Sequence, residues 1–198
     1  MNKSYSAACD RNREPILSII QELFSNCRSV LEIGSGTGQH AVYFARHMPH
    51  LVWHTSDRRE NHADIIQWLA EAGPGNAVPP LELDVLQPVW PELKIDAVFS
   101  ANTAHIMHWR AVEALFSGVG ALLPVNGLFI LYGPFNYHGR YTSQSNADFD
   151  IWLKQRDPGS AIRNFEDLER LANASGMILQ DDFSLPANNR LLCWIKQK

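Results

Sequence analysis

Val30-Leu-Glu-Ile-Gly-Ser-Gly-Thr-Gly-Gln-His40-Ala-Val-Tyr-Phe-Ala45 begins as an apolar, β-prone run, passes through glycines at 34, 36 and 38, and returns to helical spacing. The pattern predicts a strand, a tight loop and a helix, the opening unit of a doubly wound α/β domain. Ligands of such sheets bind beyond the carboxyl ends of the strands, where a glycine lets them approach the backbone without meeting a Cβ.

The glycine spacing narrows the choice of ligand. A dinucleotide fingerprint needs G-x-G-x-x-G, whereas Gly34, Gly36 and Gly38 give G-x-G-x-G, with the third glycine one residue early. Glu32, two residues before the first glycine, would repel a pyrophosphate and suits a ligand carrying an amino group and a sulfonium. S-adenosylmethionine is such a ligand, and Glu-x-Gly-x-Gly-x-Gly resembles motif I of the Rossmann-like methyltransferases. That resemblance implies Glu32, Gly34, Ser35, Gly36 and Gly38 as cofactor contacts.

The chain has 198 residues, enough for one domain with a proper core. A net charge of -4 lacks the basic footprint of a nucleic-acid binder, so a nucleic-acid partner is not expected. The three cysteines, Cys9, Cys27 and Cys193, are widely spaced and form no Cys-x-x-Cys pair, which fits reduced cytosol better than a disulfide framework or a thiolate zinc site. The N-terminus lacks a signal core and no stretch approaches the ~18 to 20 apolar residues that span a bilayer. A soluble, cytoplasmic protein without a membrane partner is therefore expected; nothing in the sequence sets its oligomeric state.

Along the chain, Pro15 suits the first turn of a helix in which Ile16, Ile19, Ile20, Leu23 and Phe24 form one apolar stripe. Residues 1–27 then divide into a polar lid segment and this helix. Leu51 to Ser56 reads as strand 2 and ends at Asp57, placed to accept hydrogen bonds from ribose hydroxyls or to cap the next helix. A helix through Ile65, Ile66, Trp68 and Leu69 stops at Gly73-Pro74-Gly75. Strand 3 is expected at 81–85, with Asp84 near an adenine amino group and Val85 against the ring. Strand 4, at 95–100, leads into Asn102, where cofactor and acceptor would meet, and on to His105 and His108. These two histidines are three apart, yet no Asp, Glu or Cys of suitable spacing completes a ligand set, so no metal is expected. Asn102 is followed by Thr103-Ala104, not the Pro-Pro-Tyr/Phe of methyltransferases acting on amide or base nitrogens.

Strand 5, at 128–133, is followed by a long polar and aromatic segment from Pro134. Residues 134–160 read as a substrate-side loop and helix insertion, because long loops in compact domains are usually functional. Phe135 and Tyr137 are candidate acceptor-binding walls, and Arg11, Arg13 and Arg140 candidate carboxylate binders. His105, His138 and Tyr141 are candidate general bases for a hydroxyl or thiol acceptor. Two strands near 178–185 and 190–196, joined by Pro186-Ala-Asn-Asn189, predict an antiparallel hairpin at the end of a mostly parallel seven-stranded sheet.

Arg11-Asn-Arg-Glu-Pro-Ile-Leu17, Ser35-Gly-Thr-Gly-Gln-His40, Tyr132-Gly-Pro-Phe135, Ser143-Gln-Ser-Asn-Ala-Asp-Phe-Asp150, Ala174-Ser-Gly176 and Pro186-Ala-Asn-Asn189 resemble the methyltransferase-like 26 family, also called domain of unknown function 938. The resemblance covers nearly the whole chain. It implies a single Rossmann-like domain over 1–198 and S-adenosylmethionine-dependent methyl transfer to an acceptor the family does not define, expected to be a small molecule. One departure is Ser160-Ala-Ile-Arg163-Asn164, where the family commonly has Trp-Gly before Ile/Leu-Arg-Asp. The alternative is a protein that binds S-adenosylmethionine or S-adenosylhomocysteine as a sensor or interaction module without transferring a methyl. An NAD-dependent oxidoreductase is disfavoured by the glycine spacing, Glu32 and the terminal hairpin.

Overall fold

The computed structural model describes residues 3–73 and 75–197. It is an α/β fold whose main sheet has seven strands in the order β3-β2-β1-β4-β5-β9-β8, mostly parallel, with the last two strands of the chain antiparallel. The chain divides into two compact units, one up to Ser100 and one from Ala101 onward.

The first unit opens with α1 (Ala7–Leu23), then β1 (Ser29–Ile33), α2 (Gln39–His47), β2 (Val52–Asp57), α3 (His62–Ala72), β3 (Ala77–Glu82) and β4 (Ala97–Ala101), whose last residue begins the second unit. β1 pairs in parallel with β2 and β4, and β2 with β3. Ile16, Ile20, Val30, Leu31 and Ile65 are fully buried. At the centre Phe44, Trp53 and Phe99 pack with ring centroids 5.5 to 5.7 Å apart, the offset and edge arrangements that aromatic quadrupoles favour.

Two expectations are corrected here, the start of α1 and the span of β3, while the α3 stop falls at the expected breaker. Pro15 lies inside α1, not at its start. The Ser6 side chain accepts from the Cys9 amide and Asp10 stands in the first turn, so the helix is nucleated well upstream and carries the proline in its interior. Residues 7–14 are thus helix rather than a polar lead-in. β3 begins at Ala77 and ends at Glu82, several residues before the predicted span; as an edge strand it tolerates Pro79 and Pro80. The α3 stop falls at Gly73, with φ 77°, while Pro74 of the expected breaker lies outside the described residues.

The second unit contains α4 (Trp109–Leu122), β5 (Leu128–Gly133), β6 (Phe135–Asn136), α5 (Gln144–Arg156), β7 (Arg163–Asn164), α6 (Phe165–Ala174), β8 (Met177–Leu185) and β9 (Asn189–Lys196). β5 and β8 both pair antiparallel with β9. Phe116, Phe129 and Trp194 form its aromatic centre, with centroids 5.2 to 5.5 Å apart. The segment after β5 is more regular than its composition predicts. β6 pairs with β7, Tyr137 and Arg140 bond each other's backbones, and Ser143 caps α5.

Candidate functional site

In the first unit the glycine loop leaves β1 with Gly34, Gly36 and Gly38 all in left-handed backbone, at φ 76°, 57° and 88°. Gly34 N–H and Ser35 N–H both donate to the Ser56 carbonyl at 3.0 Å, which ties the loop to the end of β2. The glycines have different tasks. A Cβ on Gly38 would stand 3.1 Å from the Ile65 backbone, so this glycine permits α2 and α3 to approach. A Cβ on Gly36 would meet no protein atom within 4 Å; the space its missing side chain leaves open is beside the carboxyl end of β1.

Glu32 lies beneath this loop and is buried. Its Oε2 accepts from Ser35 Oγ at 2.9 Å and from Trp53 Nε1 at 3.1 Å, and burial pushes its pKa up to about 7. Asp57, at the end of β2, takes the Gly36 amide on Oδ2 at 2.7 Å, and the Arg58 amide and Asn61 Nδ2 on Oδ1, each at 2.8 Å. Three of the roughly four acceptor positions of a carboxylate are therefore used, leaving one on Oδ2. Asp84 follows β3 and accepts the Leu86 amide at 3.0 Å, and Val85 is buried. Asp84 also borders a cleft of ≈ 640 Å³ with Arg58, Arg59, Glu82 and Val89; the cleft runs past the residues after Asp57 and does not reach the glycine loop.

Of the arginines on α1, Arg11 is exposed, while Arg13 bonds Asp10 at 2.8 Å and lies 4.7 Å over the Tyr43 ring. The helix is held to the loop region by neighbours the sequence reading did not single out. Gln39 exchanges hydrogen bonds with the Ser6 backbone, and His40 Nε2 lies 2.7 Å from Asn12 Oδ1, both residues buried. Burial holds His40 down to about 4.

In the second unit Asn102 has φ 59° and donates its amide to the Tyr132 carbonyl at 2.9 Å. His105 is buried, with its ring edge-on to Phe149 at 5.3 Å. Burial first, and the Arg163 charge second, lower its pKa to about 4, so the imidazole is neutral at pH 7. His105 and Phe135 are brought together: a side chain on Gly133 would begin 3.6 Å from His105 Nδ1 and 3.9 Å from Phe135.

The other candidates are spent locally. Tyr141 donates to Asp150 at 2.7 Å, and that bond raises its pKa away from the range of a base. His138 is exposed and pairs with Glu166 through both backbone and ring. Tyr137 stacks on Phe165 at 5.2 Å and donates to Asp182 at 2.7 Å, and Arg140 is exposed. His108 bonds Asp157 at 2.9 Å. Among the described residues no group of three or more His, Cys, Asp or Glu is gathered to hold a metal ion, and no helix is long and apolar enough to cross a membrane.

Solved structures share this fold. An O-methyltransferase family protein from Burkholderia thailandensis matches at TM-score 0.84 with 16% identity, over 96% of this chain and 58% of its own. Human N-acetylserotonin methyltransferase in complex with SAM matches at TM-score 0.82, 14% identity, over 96% and 53%. An O-methyltransferase family 2 protein from Planctomyces limnophilus in complex with apigenin matches at TM-score 0.74, 15% identity, over 85% and 51%. The chain thus spans little more than half the length of these structures. The family described as "Protein of unknown function (DUF938)" matches residues 3–196, and the chain belongs to that family.

Proposed function

We propose that the protein is an S-adenosylmethionine-dependent methyltransferase acting on a small-molecule hydroxyl or thiol acceptor. The observation that carries this reading is the glycine loop: at the end of β1 it holds three glycines in left-handed backbone, and the position of the missing Gly36 side chain is open. The fold of solved methyltransferases, one in complex with SAM and one in complex with apigenin, supports the cofactor and the size of the acceptor.

When bound, the cofactor supplies a methyl on a sulfonium, a leaving group that needs no acid. Asp57 Oδ2 retains one acceptor position for a ribose hydroxyl, and Glu32 holds the loop from below through Ser35. Asp84 and Val85 supply a polar and an apolar group at the adenine end. On the acceptor side the chain must align a nucleophile, and alignment can contribute ~7 to 11 kcal/mol. Where the acceptor is a hydroxyl or thiol, neutral His105 would be the group to take its proton and release it to water. Among the candidate bases, His105 is the one that is both neutral and not engaged by a carboxylate.

Calorimetric titration with S-adenosylmethionine, S-adenosylhomocysteine and NAD in parallel tests the reading. Micromolar binding of the two sulfur ligands and none of NAD is expected, with loss of that binding in Gly36→Val and a folded variant by circular dichroism. Unchanged binding in Gly36→Val would show that the ligand lies elsewhere.

A further inference from the structure

Four consecutive main-chain carbonyls in the turn after β4 are taken by one short segment. Arg163 Nε donates to Ala104 O at 3.0 Å, the Ala161 amide to His105 O at 3.0 Å and Ser160 Oγ to Ile106 O at 3.2 Å. Arg163 Nη2 takes Met107 O and also reaches Gly159 O at 2.9 Å. The turn adds bonds of its own from the Ile106 and Met107 amides to Thr103 O. Carbonyls in such a turn need partners, and here all four find them in residues 160–163.

The clasp is itself anchored. Ile162 N–H donates to Asp150 Oδ1 at 2.7 Å, so α5 fixes the segment, and Phe149, the neighbour of Asp150, packs edge-on to His105. Asp150 also holds Lys154 and the Tyr141 hydroxyl. The charged groups facing this region are Arg163 on β7, the Asp150–Lys154 pair on α5, and Asp157 just after α5, which accepts from Ser160 Oγ and the Gly159 amide and pairs with His108.

We propose that Arg163 is the positioning residue of the acceptor side: its planar fork, spanning the carbonyls of residues 104 and 107, fixes the turn that presents the His105 ring in a single orientation. The inference rests on the methyltransferase reading for its purpose, and on the hydrogen bonds alone for its geometry. Because the Arg163 N–H groups on Nε and Nη2 are committed to carbonyls, it recognises backbone here rather than a substrate carboxylate.

The test uses the full chain saturated with S-adenosylhomocysteine and follows the His105 ring by nitrogen-15 NMR, with His105→Gln assigning its signals. In Arg163→Gln, which loses charge and fork, the titration midpoint should rise only by the smaller share that the Arg163 charge contributes, burial keeping it below the ordinary value, and the ring signals should shift and broaden. Arg163→Lys keeps the charge and loses the fork; its midpoint should stay low while the ring signals broaden. Ser160→Ala, which removes one of the four carbonyl contacts of the clasp together with the contact to Asp157, should give a smaller change of the same kind. S-adenosylhomocysteine affinity should stay within about twofold in all three. Ring signals superimposing on those of the unmodified chain in Arg163→Gln and Arg163→Lys, whatever the melting temperature, would overturn the proposal, as would equal loss of S-adenosylhomocysteine binding in both. Failure of the unmodified chain to bind S-adenosylhomocysteine would instead sink the methyltransferase reading, and the ring signals of the ligand-free chain would still decide the clasp.

Discussion

Replacing Glu32 by glutamine separates the support of the glycine loop from its charge. The folded state raises the Glu32 pKa from 4.5 to about 7, chiefly by burial, with Asp57 adding a smaller push in the same direction. Between those values the unfolded chain has lost a proton that the folded chain retains. The stabilisation is therefore complete below pH 4.5, declines as pH rises through the window, and is gone above about 7. At 1.36 kcal/mol per pH unit the decline is about 3 kcal/mol. Glutamine can still accept from Ser35 Oγ and Trp53 Nε1 and does not ionise. Glu32→Gln should match the unmodified chain near pH 5 and exceed it at pH 8 by up to about 3 kcal/mol, which is roughly 6 to 12 °C in Tm for a chain of this size. Thermal melts followed by circular dichroism from pH 5 to 9 give the comparison. If the difference between the two proteins does not change with pH, the folded pKa of Glu32 equals its unfolded value and the argument fails. Under the proposed function a cationic ligand favours the ionised carboxylate, so the preference for S-adenosylmethionine over S-adenosylhomocysteine should grow with pH in the unmodified chain and be flat in the variant.

The opposite limb belongs to His40. Its folded pKa is lowered from 6.5 to about 4, so stability is lost as pH falls through that window, by about 3 kcal/mol in all; urea midpoints at pH 4.5 and 7.5 should lie closer together in His40→Gln, and an unchanged separation would refute the assignment. His105, lowered in the same direction, adds a second, independent share of that acid loss. At Gly120 an added Cβ would fall 2.6 Å from the Ser175 carbonyl, a backbone atom with little freedom to give; Gly120→Ala should cost about 1 to 3 kcal/mol in urea unfolding, and a neutral result would mean that α4 and α6 are not in such close approach.

The glycine loop, the strands that flank it and the terminal hairpin were legible because each depends on local chemistry: φ > 0 at glycines, apolar runs, and a turn at Pro186 to Asn189. The start of α1 was not, because a side-chain cap at Ser6 and contacts to Gln39 and His40 outweigh the preference of Pro15 for a first turn. The long segment after β5 looked irregular for a related reason. Its order comes from partners distant in sequence: β6 pairs with β7, the Asn146 amide reaches the Asn188 carbonyl at 3.2 Å, and Asp150 receives Ile162 N–H. No periodicity within the segment reports those bonds. Arg163 was visible only as part of a motif, and Ser160 only as a departure from one; the structure gives both a task in the clasp.

Motif residues in this chain divide by whether their polar atoms are already used. Asn146, Asp150, Asp157 and Arg163 lie in or beside motif segments, and each is bonded to backbone or to a neighbouring side chain, so their substitution should be felt first as a loosened segment. The same test applied to the glycines assigns Gly38 to packing and Gly36 to the approach of a ligand. Applied to the carboxylates, it leaves Asp57 with one acceptor position and Glu32 with a proton to lose near neutrality. Applied to the three candidate bases, it retains the neutral ring of His105 and sets aside Tyr141 and His138, whose carboxylate partners hold them. Chemistry needs atoms that the fold has not already engaged. By that standard Gly36, Asp57 and Glu32 carry the cofactor side of the proposal, and His105, set by the Arg163 clasp, carries the acceptor side.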